Sequence, residues 1–90
     1  MRIEQLEYLN AVTRHGSLRR ASEELHLSQP ALSEAIRGLE RELGVLLLDR
    51  HRTGARISHQ GERLLPLINR VLDTVAALRA AADQVDAAGH

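Results

Sequence analysis

Apolar positions recur at helical spacing from the start of the chain. Ile3, Leu6, Leu9 and Val12 share one face, and Gly16 closes the run, which predicts a first helix. Ser17 can cap a short second helix, Leu18 to Leu25, with Ala21 and Leu25 turned inward. His26 and Leu27 then lead to another cap, Ser28. Beyond it Leu32, Ile36, Leu39 and Leu43 fall at i, i+4, i+7 and i+11, the buried stripe of a third helix that Gly44 ends. Pro30 fits this scheme as a first-turn residue, because the N–H it lacks has no intrahelical partner there.

The pattern then changes. VLLLDR (45–50) and ARIS (55–58) are short apolar runs on either side of RHRTG, and they predict two short strands around a tight loop with Gly54 at its tip. Ser58 can cap a long last helix running to about Ala87. Along it Leu64, Ile68, Val71, Val75, Leu78, Ala82 and Val85 step by 4, 3, 4, 3, 4, 3, a sustained a/d seam, with Leu65 and Leu72 as a second strip beside it. The expected class is mainly α. A winged helix-turn-helix occupies residues 1–58, with the helix-turn-helix at about 18–37 and the wing at about 46–58. A linker helix follows at 59–88.

Composition narrows the function. Ninety residues form one small domain, and so small a core points to a dimer partner or a continuing chain. There is no cysteine, which excludes disulfides, thiol catalysis and cysteine-based metal sites. The start shows no signal peptide, and no apolar run is long enough to span a membrane, so a cytoplasmic protein is expected. The histidines lack tight ligand spacing, and no nucleophile–base arrangement can be placed. Neither a metal, a cofactor nor an enzyme is therefore expected.

Formal net charge is zero, which weighs slightly against nucleic acid, but the distribution is uneven. RHRTGAR (50–56) carries three arginines and a histidine with no acid. Tyr8 is the only aromatic residue, which disfavours modules that stack bases. On the third helix Gln29, Pro30, Ser33, Glu34, Arg37 and Arg41 share the face away from Leu32 and Ile36. A major groove can use these side chains: Gln pairs with adenine, Arg with guanine, Ser with phosphate or base, Glu with the cytosine amino group. The Ser28 end offers free N–H groups to a phosphate.

With these residues in place, the chain resembles the N-terminal DNA-binding domain of LysR-type transcriptional regulators. The resemblance rests on LEYL…V at 6–12, GS at 16–17, RAS…LHLSQPALS at 20–33, I..LE.ELG at 36–44, LLDR at 47–50 and the Ile57–Ser58…Gly61–Glu62 junction. It covers essentially the whole chain. It implies that the positions of Gln29, Pro30, Ser33 and Glu34 face the major groove and that Ser28 meets phosphate. It also implies that the wing, Arg50 to Arg56, reaches backbone or minor groove. Departures are Glu34, where many relatives carry Arg or Lys, Thr53, where wings often carry Arg, and Leu9, Leu18 and Leu48 in place of frequent phenylalanines.

The expected function is sequence-specific binding of double-stranded DNA at an inverted-repeat operator, to regulate transcription. Ser28, Gln29, Pro30, Ser33, Glu34, Arg37, Arg50, Arg52, Thr53 and Arg56 form the expected interface, and the 64–85 seam joins a homodimer. In full-length relatives a tetramer and a small-molecule effector belong to a further domain absent from this chain. The rival reading is a protein-interaction module in which only the long helix matters; binding to heparin or random duplex separates the two. Glu34 is either a cytosine reader or is bent back onto Arg37 or a neighbouring arginine. Leu46 is either a lone exposed apolar residue or part of a contact.

Overall fold

The computed structural model describes residues 1–52 and 54–87, with the side chains of the last two left out. Its order is α1 (Ile3–His15), α2 (Leu18–Leu25), α3 (Gln29–Leu43), β1 (Leu48–His51), β2 (Gly54–Ile57) and α4 (His59–Ala87). Local signals set most boundaries. Gly16 takes the left-handed conformation at φ 64° and returns its N–H to the Val12 carbonyl. The Ser17 hydroxyl accepts the Arg20 N–H, and the Ser28 hydroxyl accepts the Ala31 N–H. His26 ends α2 at φ 57°, an uncommon conformation for a residue with a Cβ, and Leu27 N–H reaches the Ser22 carbonyl. The turn between α2 and α3 is therefore hydrogen-bonded at both ends.

Leu6, Leu9 and Val12 of α1, Ala21 of α2, and Leu32, Ile36 and Leu39 of α3 form the buried centre, closed below by Leu47, Leu48 and Ile68. Each large aliphatic side chain buried there contributes about 1.5–3 kcal/mol. Leu43 departs from the expected stripe: it is 39% exposed, because the last turn of α3 runs past the edge of the core. A polar cluster joins α1 to α2. Arg14 donates to both oxygens of Glu24, at 3.2 and 2.9 Å, and His15 Nε2 lies 3.1 Å from the same carboxylate, off the line of a good hydrogen bond. The Arg14 hydrogen bond, then His15, holds the Glu24 carboxyl down from 4.5 to about 2.

The hairpin is antiparallel, with Leu48 opposite Ile57, Asp49 opposite Arg56, Arg50 opposite Ala55 and His51 opposite Gly54. Two expectations are corrected here. β1 begins at Leu48 rather than Val45, because the N–H groups of Leu47 and Leu48 turn to the Glu40 carboxylate. Gly54 is not the tip of the loop: it opens β2 at φ 139°, paired with His51.

Ser58, 1% exposed, fastens α4. Its hydroxyl donates to the Leu46 carbonyl at 2.7 Å and accepts the Gly61 N–H at 2.9 Å. Gly61 is required by close approach, since a Cβ there would sit 2.6 Å from the Leu47 carbonyl oxygen. The helix next leans on its own domain through Leu64, Ile68 and Leu72, and Asn69 accepts a hydrogen bond from Asn10 of α1. Its far half extends beyond the core. Among the described residues no helix is long and apolar enough to cross a membrane.

Candidate nucleic-acid interface

The Ser28 cap starts α3 at the surface, and the turn before it holds the helix across α2. Ser28, Gln29, Pro30, Glu34 and Arg37 are all exposed on its outer side. Gln29 lines a concavity with Ser17, Leu18 and Arg19 of the α2 entrance and with Arg50, His51, Arg52, Gly54 and Ala55 of the hairpin. The hairpin thus stands beside the start of α3, and the wing and the polar helix face open the same way. Ser17, Arg19 and His51 join this surface although sequence patterning did not select them. The available signal was Ser17 capping a helix whose second residue is basic.

Three expected contacts sit differently from the rest. Ser33 is only 9% exposed, and its hydroxyl accepts the Arg50 Nε–H at 3.3 Å. Arg50 is itself engaged, with Nη1 3.1 Å from Glu40 Oε1. Glu34 does not turn to Arg37; its carboxylate lies 3.2 Å from Arg41 Nη2, seven residues on, and both side chains are mostly exposed. Thr53 lies outside the described residues.

Charge is arranged to suit a polyanion. Among the described residues Arg37, Arg52 and Arg56 form no ion pair, whereas Arg2, Arg14, Arg19, Arg41 and Arg50 do. Arg20 of α2 and Arg63, Arg70 and Arg79 of α4 are likewise without an ion pair among the described residues, so zero net charge conceals free cations on α3 and the wing as well as along α4. Glu40 is a further residue that sequence patterning missed. It is 6% exposed and takes the N–H groups of Leu47 and Leu48 at 2.7 and 3.1 Å. Left bare, each buried N–H would cost about 1–3 kcal/mol. The signal was an acid four residues after Ile36, on the apolar stripe.

The seam along α4 divides. Leu64 and Ile68 pack into their own domain, Ile68 at 6% exposure, so they do not stand free for a partner. Val71, Leu78 and Val85 are exposed, joined by Leu67, which the 4,3 spacing omitted. Val75 lies half-buried between this strip and α1, and Ala82 is exposed. Leu46 is 64% exposed while its carbonyl holds Ser58.

A capped helix with a polar outer face, crossed beneath by a second helix and flanked by a basic hairpin, defines a winged helix-turn-helix DNA-binding domain. Residues 3–62 match the family described as bacterial regulatory helix-turn-helix proteins, lysR family. The chain is 51% identical over 72 residues to the probable HTH-type transcriptional regulator LrrA of Synechococcus elongatus, covering 80% of this chain and 24% of that protein. It is 43% identical over 84 residues to the DNA-binding transcriptional dual regulator OxyR of Escherichia coli, covering 93% and 28%. It therefore spans about a quarter of the length of these regulators. In structure it is similar to the CbnR DNA-binding domain crystallised with DNA, with a TM-score of 0.83 and 32% identity over 100% of both chains. The chain belongs to the LysR family and corresponds to the N-terminal DNA-binding domain of these transcriptional regulators, which are not enzymes.

Proposed function

We propose that the chain binds a specific duplex sequence as a homodimer, at an inverted-repeat operator, and so regulates transcription. The observation that carries this reading is the shared opening of the α3 face and the wing, with Gln29 and Arg52 lining one concavity. In this mechanism α3 enters the major groove. Gln29 and Glu34 read base edges, and Pro30 gives a rigid apolar contact beside them. The Ser28 end of α3 points N–H groups at a phosphate, and Arg37, Arg52 and Arg56 fix the register on others. The related domain crystallised with DNA supports the same mode. The exposed strip Leu67, Val71, Leu78 and Val85 supports pairing of two copies, and two-fold symmetry then implies two inverted half-sites.

Selection from random duplex followed by titration tests the reading. Phosphate contacts from Arg37, Arg52 and Arg56 in each of two subunits predict a log–log salt slope of roughly −5. Arg52→Ala should flatten it by about two and weaken all sequences alike. An unchanged slope would remove Arg52 from the phosphate contacts, and failure to enrich any sequence would leave the chain a protein-interaction module.

A further inference from the structure

Glu40, which is buried, and Arg50, a quarter exposed, form the least exposed charge pair among the described residues, and it lies between the two halves of the interface. Glu40 Oε2 holds the chain where β1 begins, through the N–H groups of Leu47 and Leu48. Glu40 Oε1 holds Arg50 Nη1 at 3.1 Å. From there the guanidinium runs back along α3, with Nε 3.3 Å from Ser33 Oγ and Nη2 3.5 Å from the Ser33 carbonyl oxygen. Ser33 and Glu40 are seven residues apart, about 10 Å along a helix axis. One hairpin arginine therefore spans two turns of the reading helix, and a buried carboxylate orients it.

A guanidinium committed in this way makes a poor phosphate anchor. Its charge is already met by a carboxylate, most of its donors are used, and its side chain is only a quarter exposed. Its planar fork suits it to joining two fixed acceptors, which a lysine cannot do. We propose that Arg50 and Glu40 are positioning residues: they set the wing against α3 before DNA arrives, so that Gln29 and the arginines Arg52 and Arg56 engage one duplex in register. This rests on the DNA-binding reading above and deepens it. A preset spacing favours the sequence that satisfies base and backbone contacts together, and does little for a duplex held by charge alone.

The test compares the 90-residue chain with Arg50→Lys, Arg50→Gln and Glu40→Gln. Each is titrated with the selected operator and with random duplex over a range of KCl, after urea unfolding has confirmed a folded domain. Arg50→Lys is decisive, because it keeps the charge and loses the fork. The expected result is that Arg50→Lys and Arg50→Gln both lose operator preference by about tenfold, comparable to one base contact, while the salt slope stays at the wild-type value. Folded Glu40→Gln should match them, and combining it with Arg50→Gln should add little further loss.

The role is overturned if Arg50→Lys restores wild-type binding while Arg50→Gln lowers the slope by about two per dimer, the signature of a phosphate contact. It is equally overturned if operator preference survives in folded Arg50→Gln. Should Glu40→Gln fail to fold, the two Arg50 variants decide alone. A wild-type chain with no sequence preference would sink the DNA reading itself and the positioning role with it. Wild-type preference together with unaffected variants sinks only the latter.

Discussion

At the scale of single residues the informative side chain is Glu34. An acid on a DNA-reading face repels phosphate, so its presence needs a reason. Its partner Arg41, 3.2 Å away, makes an exposed pair worth about 0–1 kcal/mol, too little to hold the carboxylate back from a better donor. Glu34→Gln is expected to raise affinity for nonspecific duplex and to relax preference at one base pair by about 1–3 kcal/mol. Titrating the operator beside its single-base variants checks both effects. If nonspecific binding rises while base preferences stay put, Glu34 is an electrostatic brake and not a reader. Residue-level signals were legible wherever the chemistry is local. Ser17, Ser28, Gly16, Gly44 and Pro30 act within a few positions of themselves, and each was identified from neighbours alone; Ser58 was legible as a cap but not in its bond to the Leu46 carbonyl, twelve residues away. Ser33 was read as outward-facing on helical spacing, but its burial comes from Arg50, seventeen residues on. No periodicity encodes that contact.

At the scale of elements, α1 and α2 are tied by Glu24, and the tie depends on pH. A carboxyl held at about 2 in the fold and near 4.5 when released stabilises the fold fully above the higher value. That contribution fades as pH falls from 4.5 toward 2, because the unfolded chain takes up the proton first. Glu24→Gln should therefore have a lower melting temperature than wild type at neutral pH, with the gap closing through this acid window. The pair is exposed, so the gap should also shrink in high salt. A gap unchanged at pH 2 would place the effect outside the carboxylate. The four helices were legible as elements because each carries a periodic apolar face and most of their ends carry a local stop. The hairpin was misplaced at both ends. VLLL is apolar because Leu47 and Leu48 are core residues, not because it is all strand, and only tertiary bonds to Glu40 and Ser58 show where pairing begins.

At the scale of the whole molecule, the long helix serves two masters, and the 4,3 pattern merged them. Leu64 and Ile68 belong to the domain and Val71 and Leu78 to the exposed strip; hydrophobic spacing alone cannot tell an inner partner from an outer one. In the proposed dimer, Val71→Glu with Leu78→Glu is expected to give a folded monomer, because charges cannot be buried without partners. Operator affinity should fall with it, as each half-site then binds alone. Sedimentation that still shows a dimer would move the pairing surface elsewhere. Ser58 and Gly61 also clamp the near end of this helix against Leu46 and Leu47. The stretch from Ser58 to Leu78 works as a lever arm of about 30 Å. A tilt of about 5° at its pivot swings the far end by about 2.6 Å, most of the roughly 3.4 Å step between stacked bases. The clamp thus does more for the proposed dimer than secure one helix: by fixing an angle, it fixes how far apart along the duplex the two halves of an operator lie.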